Sequence, residues 1–300
     1  MTRWVFLGLA VMSALGCKKP PPAPEGLDDS AKYLFREFYS EDEFVGAGLT
    51  GLVNWFDEEG HELLGQTAEL DDVGAFSLTE LGWDDIEGLP VDGNRDPAAA
   101  PGVVSVAEMS CHWSEAEALL TRPDQHVVFE DDFDAYERTF ITPKETYAEA
   151  TASSTFDEVT EPLDPADPST LPSTVMWTDN WAMSSEMGVT LEFPLVLHFR
   201  HGVFEVQGED AEVLMILAFQ PERAEGDGGN NSLEQSYSVE VNIDRGGDKT
   251  LRMLAAWTQV ESIWLASDSA AVLTAAVNKS QDSAARMSSI CAGEVSIPGA

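Results

Sequence analysis

Apolar side chains recur at every second position through much of residues 189–265, and then at every third or fourth position from 273 to 291. Val189, Leu191, Phe193, Leu195, Leu197 and Phe199 alternate with Thr190, Glu192, Pro194, Val196 and His198. A period of two puts each set on its own face of a β-strand. Pro194 has no amide hydrogen to donate, which restricts this strand to an edge or a bulge. Val213 to Phe219 is nearly all apolar, as for a strand buried on both faces. Tyr237, Val239, Val241 and Ile243 alternate with Ser238, Glu240, Asn242 and Asp244. Arg245-Gly246-Gly247-Asp248 then turns the chain into Thr250 to Leu265, an antiparallel hairpin. Ser267-Asp268 can cap a helix on whose inner face Leu273, Val277, Ser280, Ala284, Met287 and Cys291 line up.

The first half opens with helix periods. Leu34, Phe35, Phe38 and Tyr39 fall on one stripe, and Val45, Leu49, Leu52, Val53 and Phe56 on another. The spacing predicts helices near 28–39 and 41–58, paired as a hairpin. Ser40 is placed to cap the second, with Glu41, Asp42 and Glu43 favourable to its dipole. Residues 60–125 are weakly patterned. From about 126 the period is again two, beginning at Val127, Val128 and Phe129 and continuing through Tyr136, Phe140 and Tyr147. A loop rich in Pro, Asp, Ser and Thr runs from Glu161 to Ser173. The fold class expected is α+β: an N-terminal helical hairpin, a curved antiparallel sheet and a long C-terminal helix packed on it. In element order, residues 126–291 resemble the helix-grip fold of START and Bet v 1-like proteins. That resemblance implies an apolar cavity beneath the terminal helix and a lipid or other hydrophobic ligand.

The N-terminus carries a different signal. Arg3 precedes an apolar run from Trp4 to Leu15, which Gly16-Cys17 ends and Lys18-Lys19-Pro20 follows. A short positive region, about a dozen apolar residues and small residues at the end make a secretory signal peptide. Spanning a bilayer takes roughly 20 apolar residues, so the run is too short for a transmembrane helix. Ala14-Leu15-Gly16-Cys17 resembles the bacterial lipobox. The resemblance implies cleavage before Cys17, acylation of its sulfur, and anchoring to a membrane of the cell envelope through palmitate and related chains. Pro20, Pro21, Pro22 and Pro24 then form a semi-rigid spacer. The expected organisation is a signal peptide at 1–16, a lipidated tether at 17–29, an α+β domain at 30–291 (helical part 30–125, sheet and terminal helix 126–291) and a tail at 292–300.

Charge narrows the partners. With 54 acidic against 16 basic residues the net charge is −38. Nucleic acid is excluded, because backbone phosphates demand Lys and Arg. With Cys17 acylated, Cys111 and Cys291 remain, and an exported chain permits their pairing. Closing so long a loop would stabilise by about 5 kcal/mol in the chain-entropy model. The alternative is a reactive Cys111 beside His112.

The candidate sites are few. Trp177, Asp179 and Trp181 would project from one face of a strand, where two indoles and a carboxylate can stack on a sugar ring and bind its hydroxyls; the alternative is a pair of core tryptophans. Glu130, Asp131, Asp132 and Asp134 make a hard-oxygen cluster suited to calcium, but they lack the turn glycine and distal glutamate of a calcium loop. In a chain this acidic such a run arises by composition, and a solvated loop is the favoured reading. His198 and His201 flank a presumed hairpin turn and could approach each other around a metal. Gly46-Ala47-Gly48-Leu49-Thr50-Gly51 matches G-x-G-x-x-G without a strand before it, so close helix packing is the competing reading. His61-Glu62-Leu63-Leu64-Gly65 has glycine where a zinc-protease helix needs its second histidine. No cofactor is indicated. The expectation is a non-catalytic, membrane-anchored lipoprotein whose domain binds a protein partner or hydrophobic ligand; the alternative is a carbohydrate-binding or carbohydrate-active protein using the Trp177–Trp181 face.

Overall fold

Two helices lead, and each buries the stripe its spacing marks. The computed structural model describes residues 22–152, 159–186, 189–226, 231–262 and 268–298. Helix α1 spans Gly26–Arg36 and α2 spans Asp42–Glu58. Ala31, Leu34 and Phe35 from the first and Phe38 from the turn after it, with Val45, Leu49, Leu52 and Phe56 from the second, join one core. Asp42 and Glu43 lie in the first turn of α2, where its dipole favours them. Its N-cap is Glu41, and the Ser40 hydroxyl instead donates to Glu37 at 2.6 Å.

The three glycines of the G-x-G-x-x-G run lie inside α2, buried. A Cβ at Gly46 would stand 2.9 Å from the Glu205 carbonyl, and one at Gly48 would meet the Tyr33 ring at 2.7 Å. The run is therefore a contact strip, made of small residues so that α2 can lie close on a strand and on α1. Gly46→Val is expected to destabilise the fold by about 1–3 kcal/mol, the usual cost of overpacking. Gly74→Ala, where no atom stands within 4 Å, should leave the melting temperature nearly unchanged. Thermal denaturation of both variants checks this.

Among the described residues, nine strands form one antiparallel sheet. They are β1 Ser77–Leu78, β2 Gly102–Met109, β3 Ala135–Phe140, β4 Val175–Glu186, β5 Val189–Val206, β6 Glu209–Phe219, β7 Ala224–Glu225, β8 Asn231–Asp244 and β9 Thr250–Ser262. The order is β1-β2-β9-β8-β6-β5-β4-β3, with β7 also paired to β8. One face carries Phe204, Met215, Leu217, Val239, Val241 and Met253 against α1 and α2. The other carries Ala107, Met109, Phe199, Leu214 and Ile216 against α3 (Trp113–Leu120) and α6 (Ala270–Cys291). Because both faces are covered, β6 is buried from Val213 to Phe219, as its apolar run predicts.

Three expectations need correction. The stretch 60–125 is not merely helical or irregular: β2 lies within it, paired along its whole length with β9. All but one of its residues are buried, so it shows no alternation. Residues 125–128 are not the start of the sheet but one helical turn, α4 (Gln125–Val128), closed by the Phe129 amide on the Gln125 carbonyl at 2.8 Å. Three adjacent apolar residues suit a turn of helix as well as a strand. Tyr147 lies in α5 (Lys144–Thr151), which follows Pro143. Pro194, by contrast, falls where β5 runs past β6: their pairing begins at Val196–Phe219, while Pro194 pairs only with Trp181 of β4.

Helix α6 buries Val277, Ser280, Gln281, Ala284 and Met287. Its N-cap is Ser269, whose hydroxyl accepts from the Val272 amide; Ser267 lies outside the described residues. Cys291, its last residue, is bonded to Cys111 beyond the end of β2, with Cα atoms 5.3 Å apart.

Candidate functional site

On β4, Trp177, Asp179 and Trp181 do share a face. The Trp177 indole donates to the Asp179 carboxylate at 2.9 Å and lies 4.6 Å from the His198 ring. Trp181 is half-buried opposite Pro194. One tryptophan is thus packed on the histidine beneath it, and the carboxylate between them already holds a proton donor.

His198 and His201 are not at a turn. Both lie inside β5 and face opposite ways; the turn is at Gln207 and Gly208, both with positive φ. His201 approaches the Glu117 carboxylate at 3.1 Å, which also accepts from the Tyr147 hydroxyl at 2.6 Å. Burial, and then the Glu117 charge, holds that phenol well above its ordinary range. His198 Nδ1 is 2.8 Å from the Tyr39 hydroxyl. Burial pulls the His198 pKa down to about 3, so the native ring stays neutral where an unfolded one, near 6.5, takes a proton. The stability it contributes is complete above pH 6.5 and is lost as pH falls toward 3, at up to about 1.4 kcal/mol per unit. Denaturation curves should show roughly 2 kcal/mol lost to this group by pH 5, and a His198→Phe variant should have a flatter profile.

The acidic run diverges. Glu130 pairs with Arg286 at 2.7 Å, and Asp132 accepts from Ser283 at 2.9 Å beside Lys279, while Asp131 and Asp134 are exposed. It fastens the α4–β3 connection to α6. His112 caps α3 and is engaged with the Ser114 hydroxyl at 2.8 Å; the sulfur of Cys111 is bonded to Cys291. The side chain of His61, and all of Cys17, lie outside the described residues.

A further group emerges only from strand register. On the α6 side of the sheet Leu197 pairs with Ala218, Ala218 with Ser238, and Ser238 with Ala256. Leu195 precedes Leu197 on this face, and Leu254 adjoins Ala256. Five of these six are half-buried, whereas Phe199, Ile216 and Glu240, in the row that Leu254 completes, are covered. Leu273 and Val277 of α6 pack beside Val103, which pairs with Ala256, and so flank this floor. At its inner end, beneath α6, Arg252 reaches both Glu240 oxygens at 2.9 and 3.0 Å and the Ser280 carbonyl at 3.0 Å. All three guanidinium nitrogens are engaged. A strip of small and apolar side chains can hold an alkyl chain, and the Arg252 guanidinium at its inner end is already engaged by Glu240 and Ser280. Open clefts among the described residues include one of about 700 Å³ beside Lys32, Arg36 and Trp83 and one of about 510 Å³ beside Asp57, Val206 and Asp244, both away from this strip.

No protein-family model matches the chain, and no curated protein matches it. Among solved structures it is similar to a fragment of the STAR-related lipid transfer protein of Xanthomonas axonopodis, at 12% identity and a TM-score of 0.40, over 69% of this chain and 89% of that one. It is also similar to the lipid transfer and protein localization domain of human StarD13, at 7% identity and a TM-score of 0.35, over 63% of this chain and 76% of that one. Shared architecture does not carry a ligand from one chain to another. No helix among the described residues is long and apolar enough to cross a membrane.

Proposed function

We propose that this chain is a lipoprotein of the bacterial cell envelope, held to a membrane through Cys17, whose α+β domain binds an apolar ligand on the α6 side of its sheet. The observation that carries the binding role is the patch of half-buried Leu195, Leu197, Ser238, Ala256 and Leu254 around buried Ala218, beside the covered Phe199, Ile216 and Glu240. Each methylene buried there would contribute about 0.8 kcal/mol. Support for the anchor comes from the apolar run ending at Gly16-Cys17 and the prolines that follow it.

Both parts are testable on the expressed chain. After delipidation it should bind a fluorescent alkyl probe with a blue shift, and Ala256→Trp, which fills the patch, should weaken binding by at least about tenfold, or 1.4 kcal/mol. Trp181→Ala should leave it unchanged; the reverse pattern would move the site to the Trp177–Trp181 face. Cys17→Ser should release the protein from the membrane pellet and abolish labelling by a palmitate analogue. Retention after a salt wash would contradict the anchor.

A further inference from the structure

Cys111, Glu115 and Cys291 come from three separate places: the end of β2, the first turn of α3 and the last residue of α6. Their sulfur and carboxylate atoms all lie within 4.8 Å of one another. Glu115 is exposed, Cys291 half-exposed and Cys111 buried, so the group opens outward on one side. We infer that this is a redox-governed metal site: with the disulfide reduced, the two thiolates and the Glu115 carboxylate bind a divalent ion of zinc's class.

Ligand chemistry selects the metal. Two soft thiolates with one carboxylate suit tetrahedral zinc, which tolerates mixed sulfur and oxygen ligands and can take water in the fourth position. The placement does not depend on the disulfide alone. The Ser110 amide donates to Ser288 of α6 at 3.2 Å, and the Thr250 hydroxyl donates to the Cys111 carbonyl at 2.8 Å. Met109, Ala116 and Met287 pack around the pair in one core. These contacts keep the two sulfurs close once their bond is cut.

The chemistry balances with a dithiol as reductant. Its two thiols become a disulfide, while the Cys111–Cys291 bond is cleaved to two thiols. Zinc binding then displaces one proton from each thiol, which leave to solvent, and the Glu115 carboxylate supplies the third ligand. Disulfide and metal are mutually exclusive states of the same pair.

The test uses the full chain with Cys17→Ser, so that only these two thiols count, reduced by a phosphine and titrated with cobalt(II). One equivalent should give thiolate-to-cobalt charge transfer in the near ultraviolet and tetrahedral bands in the visible, and zinc should bleach both. The oxidised protein should give neither. Glu115→Ala, which keeps the disulfide and its fold, should weaken binding to the reduced form at least about tenfold. Zinc should also protect both thiols from alkylation. Absence of charge transfer, equal affinity in Glu115→Ala, or cobalt binding to the oxidised chain would overturn the inference. So would a reduced chain whose circular dichroism is that of an unfolded protein with and without metal.

Discussion

Arg252→Met is expected to destabilise the fold by about 3–5 kcal/mol, because it leaves the buried Glu240 side chain with its main partner gone. Glu240 is 7% exposed, and its remaining side-chain donor is Asn242 at 3.0 Å. The Ser280 carbonyl of α6 also loses its guanidinium partner. The double variant Arg252→Met with Glu240→Leu should recover most of that loss, since a well-packed apolar pair often replaces a buried ion pair at no net cost. Urea denaturation of the three proteins measures it. Equal loss in the single and double variants would mean that the pair is favourable in its own right. Because the pair sits at the inner end of the apolar floor, the double variant also asks whether charge there is needed for binding.

The second large effect concerns the Cys111–Cys291 bond. Converting both to alanine should cost about 2–5 kcal/mol, since a loop of 180 residues is freed in the unfolded chain. The bond ties the C-terminal end of α6 to the segment after β2, at the opposite end of the helix from the apolar floor. Protease sensitivity should therefore appear first near residues 284–291. Peptide mapping without reductant should show the linked pair. Alkylatable thiols at both Cys111 and Cys291 in the unreduced protein would contradict it.

The elements that could be read from sequence are those with one buried and one wet face. Helices α1, α2 and α6 show their period for that reason, and strand β8 shows its own because Ser238, Glu240, Asn242 and Asp244 alternate with apolar residues, although Glu240 and Asn242 are buried. Strand β2 does not, since seven of its eight residues are buried and Ser105 and Ala107 interrupt the apolar set without marking a face. Turn α4 is illegible for a related reason: Val127, Val128 and Phe129 have no period at all. The site was less legible than the fold. Ala218, Ser238 and Ala256 are small and unremarkable in sequence, and they become neighbours only through the register of β6, β8 and β9. Trp177, Asp179 and Trp181 were visible as a group because two residues is the strand period, but their contacts were not. The Trp177–Asp179 bond and the His198 ring beneath depend on how β4 and β5 pair.

Mapping where an alkyl chain lies tests the account's central claim most directly. The delipidated protein, loaded with a long-chain alcohol carrying a terminal diazirine, is irradiated and digested, and the labelled peptides are sequenced by mass spectrometry. Adducts should fall on Leu195, Leu197, Ala218, Ala256 and Leu254, and excess unlabelled alcohol should suppress them. Adducts confined to Trp177 and Trp181, or labelling that excess alcohol does not reduce, would contradict an apolar ligand site on the α6 side of the sheet.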